Sequence, residues 1–218
     1  MFEAIPLASG RDADVYAIDG QRVLRRYRDG GDVAVEARIM KYVATQGFPV
    51  PIIHDASGTD LVMERLDGPT MLSALSTDAL PIVEAAALLA GLHHDLHRLP
   101  ALRSLDPSAR ILHLDLHPDN VMLTSRGPVV IDWRNAREGP AELDVAMSAL
   151  IIAQVAVEKN QGQAMLAAEL LEAFLNSAGG CPVTALDQAV AIRQADANLT
   201  TEERTALPAA AALVMRPR

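Results

Sequence analysis

A single cysteine, Cys181, gives the chain no partner for an intrachain disulfide, and a reducing cytoplasm is the simplest setting for it. Basic residues are in deficit. Nineteen Lys and Arg stand against 28 Asp and Glu, a formal charge of −9. That balance argues against general nucleic-acid affinity and leaves open a local basic pocket for a nucleotide. Long hydrophobic runs are missing too. The longest nearly apolar stretch, Val145 to Val157, includes Ser148 and Gln154 and is too short to span a bilayer. Residues Met1 to Pro6 lack the basic region and apolar stretch of a secretion signal. What is present is a globular balance over 218 residues, 50% apolar and 22% charged. A chain of this length buries roughly 70% of its unfolded surface and needs neither a disulfide nor a structural metal to fold. The expectation is a cytoplasmic globule with no nucleic-acid or membrane partner, its oligomeric state open.

The first third reads as strands and turns. Val15–Ile18 and Arg22–Tyr27 flank Asp19-Gly20, the signature of a hairpin whose tight turn uses positive φ. From Val33 to Thr45, Val35, Ile39, Met40 and Val43 fall at helical spacing, and Gly47 ends the run. Pro49 and Pro51 force extended backbone before two further strands, Ile52–His54 and Leu61–Glu64. After Gly68-Pro69 the composition turns to Ala and Leu. Leu80–Leu99 predicts a helix with Pro81 in its first turn, followed by a hairpin of Val121–Leu123 and Val129–Ile131. Helical patterns then fill Leu143–Val157, Gln163–Ala178, Leu186–Ala195 and about Glu202–Met215. Thr200 and Glu203 form a capping-box signature, and Pro208 is expected to kink or interrupt that last helix. The sum is an α+β chain in two lobes: a small antiparallel sheet with one helix over residues 1–66, and a mainly helical lobe over 67–218.

The densest polar cluster runs from His113 to Asn120 as His-Leu-Asp-Leu-His-Pro-Asp-Asn, then strand, turn, strand and Asp132-Trp133. Apolar runs on either side place this cluster on a loop. The hairpin is expected to bring Asn120 and Asp132 together at its open end, where both offer oxygen to a hard cation such as Mg²⁺. Asp115 is then free to accept a proton from an attacking hydroxyl.

His113-x-Asp115-x-His117-Pro118-x-Asn120 and Ile131-Asp132-Trp133 resemble the catalytic and metal-binding segments of the aminoglycoside phosphotransferase and choline kinase family, which has the protein-kinase-like fold. Gly139 and Asp144 resemble its continuation. The resemblance implies an ATP-dependent transfer of the γ-phosphoryl group to a small-molecule hydroxyl, on an aminoglycoside-like or amino-alcohol acceptor. It makes Asp115 the catalytic base and Asn120 and Asp132 the Mg²⁺ ligands, with His113 bracing the loop and Asp144 capping its helix and anchoring the loop. By the same likeness the segment Leu7–Val15 is the phosphate-covering loop, although Gly10 is its one glycine and Asp12 and Asp14 would repel phosphate unless turned outward. Arg25 or Arg26 stands where the family carries a strand lysine. Alternation favours Arg25, which shares a face with Val23, and Glu36 resembles the glutamate that holds this cation. Backbone groups near Glu64 and Leu66 are implied to meet the adenine edge.

Two other functions remain open at this stage. A kinase-shaped nucleotide-binding regulatory module with little turnover would explain the single-glycine loop and the missing lysine. A metal hydrolase using His113, Asp115 and His117 as zinc ligands explains neither Asn120 nor Asp132. His93, His94 and His97 invite a metal reading, since positions four apart share a helix face, but Leu88, Leu89, Leu92 and Leu96 mark a core stripe and a structural role is expected. The acids Glu142, Asp187, Asp196, Glu202 and Glu203 are expected to be solvated, a pocket for a cationic substrate being the alternative.

Overall fold

The computed structural model describes residues 5–28, 30–158, 160–179 and 183–216; Cys181 lies outside them. The fold is α+β and divides into two compact units: residues 1–69 with 122–134, and residues 70–121 with 135–218.

The first unit is built on five antiparallel strands. β1 is Ala8–Ser9, β2 Ala13–Ala17, β3 Arg22–Tyr27, β4 Ile53–Ser57 and β5 Asp60–Glu64, in the spatial order β1-β2-β3-β5-β4. The β2–β3 hairpin is present with Ala17 opposite Val23, but its connection is longer than a two-residue turn and Gly20 is not left-handed. Asp19 closes it instead, its Oδ1 accepting the amides of Gln21 at 2.9 Å and Arg22 at 2.8 Å. Period-two alternation along β3 buries Val23, Arg25 and Tyr27 on one face and exposes Arg26 on the other, where it pairs with Asp60 of β5. Helix α1, Ala34–Thr45, buries Glu36, Ala37, Ile39, Met40 and Val43. Val35, expected in that stripe, is exposed, and the polar Glu36 points inward instead.

The later hairpin, β7 (Val121–Thr124) and β8 (Gly127–Val130), belongs almost wholly to this unit although it follows residues 70–120 of the other. Leu123 N donates to Pro69 O and Val130 N to Pro49 O, both at 2.9 Å. Gly68 makes the first contact possible. A Cβ at its φ of +135° would lie 2.1 Å from the Leu123 carbonyl oxygen, so no other residue fits there. Trp133, fully buried, donates from Nε1 to Val130 O at 3.0 Å and meets Phe48 edge-on at 5.7 Å.

The second unit is helical. α2 is Met71–Ser76, capped by Thr70, whose Oγ1 accepts Ser73 N at 3.1 Å. α3 is Ile82–His97, starting after Pro81; α4 is Ala141–Ala156, α5 Gln161–Ser177, α6 Val183–Gln194 and α7 Thr201–Val214. Every residue of α4 from Leu143 to Gln154 is buried, because α3, α5, α6 and α7 all pack on it. The Thr200–Glu203 capping box forms as its sequence implies. Pro208 does not interrupt α7; it lies on the exposed side, where solvent is available to the carbonyl left without a donor. A short pair, β6 (Arg110–Leu112) with β9 (Arg137–Gly139), anchors both ends of the segment that carries the polar loop, with Gly139 seated closely over Leu112. Among the described residues no helix is long and apolar enough to cross a membrane.

Candidate active site

In the first unit the strand face prepared by β3 turns a cation inward. Arg25 donates from Nη1 to Glu36 Oε1 and from Nη2 to Asp132 Oδ1, each at 2.5 Å. Arg25 and Glu36 are buried at 6% and 4% exposure, whereas the Asp132 side chain is 41% exposed. Glu36 is further held by the Tyr27 hydroxyl and, at 3.2 Å, by the Trp133 amide. Burial pushes the Glu36 carboxyl above its ordinary value, against the pull of Arg25. Burial likewise works against the charge on Arg25, but Asp132 and Glu36 more than restore it. Asp132 adopts φ +63°, a left-handed conformation that costs energy and recurs where geometry serves a site.

The adjoining loop shows how Asp12 and Asp14 are accommodated. Asp12 pairs with Arg134 at 3.2 Å and Asp14 with Arg28 at 3.1 Å. Arg28 also donates to the carbonyls of Gly10 and Arg11. Gly10 itself has no left-handed φ, and a Cβ there would make an ordinary contact of 3.5 Å with Ala13 O. Glu64 accepts from Arg126 at 2.7 Å and from Ile52 N at 3.1 Å, while its own amide is spent on Ile52 O. Leu66 lies just beyond β5, half-buried.

In the second unit the polar loop is pinned from below. Asp144, in the first turn of α4, accepts the amides of His113 at 3.1 Å and Leu114 at 2.6 Å. It does not cap α4, whose N-cap position is Pro140. Leu114 sits at φ +61°, a strained state for a bulky residue, and the Asp144 bond holds it there. The turn presents Asp115, whose amide donates to His113 Nδ1 at 3.2 Å. Asn120 donates from Nδ2 to Asp115 O at 2.8 Å and to Asp115 Oδ2 at 3.2 Å, which leaves its oxygen as the atom a hard cation would use. His97 Nε2 is 2.9 Å from Asp144 Oδ2. Burial would raise the Asp144 carboxyl, yet His93 and His97 hold it well below the usual carboxylate range.

The structure therefore brings Arg25, Glu36 and Asp132 together, and Asp115 with Asn120. Arg26 faces the other way on Asp60. Among the described residues, the one grouping of His, Cys and acidic side chains with the spacing of metal ligands is His93, His97 and Asp144, not the His113, Asp115 and His117 set of a zinc hydrolase. Sequence reading passed over Tyr27 and Arg134. Tyr27 was signalled by the same alternation that selects Arg25; Arg134, stacked 4.4 Å from the Tyr27 ring centroid, carried no signal. A cavity of about 650 Å³ beside α3 and α5, lined by Leu75, Leu80, Val83, Glu169 and Glu172, contains none of the residues expected at the site.

The model of the phosphotransferase enzyme family matches residues 3–108 and 95–188. No curated protein matches the sequence significantly. Among solved structures, a thermostable mutant of aminoglycoside phosphotransferase APH(4)-Ia superposes with a TM-score of 0.66 at 13% identity, over 97% of this chain and 94% of that one. The ethanolamine kinase of Plasmodium vivax gives 0.61 at 11% identity, over 95% and 81%. A type VIII aminoglycoside-3'-phosphotransferase gives 0.55 at 20% identity, over 98% and 91%. The fold is that of the kinase-like phosphotransferases, and the chain belongs to the phosphotransferase enzyme family.

Proposed function

We propose that this protein is an ATP-dependent kinase that transfers the γ-phosphoryl group to a hydroxyl of a small molecule in the cytoplasm. The observation that carries this reading is the buried Arg25 held between Glu36 and the partly exposed Asp132. It is a fixed cation beside a carboxylate able to leave it for a metal, which suits the binding of a nucleotide triphosphate. Asp132 and Asn120 supply hard oxygen donors of the kind Mg²⁺ takes, and that ion would neutralise charge on the phosphates. Asp115, fixed by the Leu114 turn and by Asn120, orients the acceptor hydroxyl and takes its proton late in the transfer. Gly10 and its loop would cover the phosphates, and the chain near Glu64 and Leu66 would meet the adenine.

The acceptor class is proposed from the relatives. Structures of similar fold include a streptomycin–ATP complex, a gentamicin complex and an ethanolamine kinase. A hydroxyl on an amine-bearing acceptor is the common chemistry, and it suits a chain of charge −9. A second reading, a nucleotide-binding module with little turnover, is favoured by the single-glycine loop, whose Gly10 and Arg11 carbonyls are already engaged by Arg28.

An ADP-release screen over aminoglycosides, other antibiotics, amino alcohols and sugars tests both, with Asp115→Ala as the blank. Acceptor-stimulated, Mg²⁺-dependent ADP release is expected, falling by roughly 10²–10⁴-fold in Asp115→Ala. Mg·ATP binding without turnover on any acceptor selects the second reading, and full turnover in Asp115→Ala removes that residue from the mechanism.

A further inference from the structure

Behind the His113–Asn120 loop lies a group of side chains that the proposed transfer does not use as ligands. His93 and His97 are one turn apart on α3, and Asp144 faces them from α4. One donor atom from each lies within 4.8 Å of the others. Asp144 Oδ2 is 2.9 Å from His97 Nε2 and 3.6 Å from His93 Nδ1. Two ligands of a tetrahedral zinc-type ion, each about 2.0–2.1 Å from the metal, stand roughly 3.3 Å apart, and the two observed separations bracket that spacing.

An independent feature points the same way. His93 is 1% exposed, and its Nε2 lies 2.9 Å from Ser148 Oγ. Its Nδ1 is buried without a hydrogen-bond partner. A buried nitrogen left this way is costly, and here it is aimed at a carboxylate just beyond hydrogen-bonding distance.

We propose that His93 Nδ1, His97 Nε2 and Asp144 Oδ2 form a binding site for one divalent transition-metal ion of the zinc class. Two imidazoles and one carboxylate suit such an ion better than they suit magnesium, which favours oxygen. Proton balance is simple. His93 keeps its proton on Nε2 against Ser148, and His97 moves its proton from Nε2 to Nδ1, so both rings stay neutral. The His97 side chain is 11% exposed, which offers the fourth position to water. The bound ion would tie α3 to α4 and, through Asp144, stiffen the amides of His113 and Leu114. None of the residues proposed for magnesium takes part, so the site stands whether or not the chain turns over ATP.

Cobalt(II) titration of the metal-free full chain tests this, because a four-coordinate site gives visible absorption that aqueous cobalt lacks. One equivalent is expected to develop the bands, and one equivalent of zinc to abolish them and raise the melting temperature. His97→Gln, which is partly exposed and keeps a donor toward Asp144, should weaken binding at least about tenfold while retaining the helical circular dichroism. His117→Gln should leave the spectrum intact. No bands in the parent chain, or bands unchanged in both His97→Gln and His93→Gln, would overturn the assignment.

Discussion

Glu36 and Asp144 are both buried carboxylates, one in each unit, and their surroundings push them in opposite directions. Glu36 shares its one cation, Arg25, with a second carboxylate, Asp132. Burial and the neighbouring negative charge raise it. Asp144 has its donors to itself: two backbone amides and the His97 imidazole converge on it, with His93 close by, and it is held well below the usual range. Burial pushes both carboxylates up; at Asp144 the neighbouring groups outweigh it, and at Glu36 they do not. A shared cation makes the first cluster adjustable, since a ligand that draws Asp132 away leaves Arg25 wholly to Glu36. The unshared donors make the second a fixed brace beneath a strained turn.

The largest effect that would sharpen this contrast lies at the movable member. Asp132→Ala is expected to abolish Mg²⁺-dependent nucleotide binding in calorimetric titration and to leave the fold intact, because Glu36 retains Arg25. Unchanged Mg·ATP titration would place the adjustable charge elsewhere. Next is the brace. Asp144→Ala leaves two buried amides and the His97 imidazole without their acceptor and should cost about 3–5 kcal/mol in denaturant unfolding. A loss under about 1 kcal/mol would put Asp144 among ordinary buried side chains.

The smallest effect concerns pH, and the two clusters differ in sign. Asp144 has a depressed folded value, so its contribution is present above the ordinary aspartate range of about 3.9 and is lost as pH falls through the lower folded value. Glu36 has a raised folded value, so its contribution is present below about 4.3 and is lost as pH rises through the higher one. Each amounts to at most about 1.4 kcal/mol per pH unit for one proton. Hydrogen exchange should therefore show the Leu114 amide losing protection below pH ~4 while the Trp133 amide does not weaken on acidification from neutrality. Parallel loss at both amides would erase the distinction.

The parts of the molecule that rest on short-range pattern were readable in advance. Alternation along β3 singles out Arg25 over Arg26, and Thr200 with Glu203 announces α7. The order His113, Asp115, Asn120, Asp132 carries the resemblance to the family, and the chain belongs to it. What stayed hidden depends on long-range placement. Val35 fits a helical stripe as well as Glu36 does on one-dimensional spacing; what decides is the buried Arg25 that Glu36 meets. The Asp19 side chain replaced glycine chemistry in the first hairpin. His97 and Asp144 are 47 residues apart, and no local rule pairs them.

Gly68, closed against Leu123, bears on how this chain is made. Residues 122–134 complete the first unit, yet they leave the ribosome after most of the loop-bearing part of the second has been synthesised. A translation product stopped at residue 69 would carry the β-sheet strands without Trp133 and without the carboxylate that faces Arg25. Its Arg25 would have Glu36 without Asp132, and Gly68 would lack the Leu123 carbonyl that closes on it. The amino-terminal body therefore cannot close in full until residue 134 has been synthesised, although its sheet strands end at residue 64.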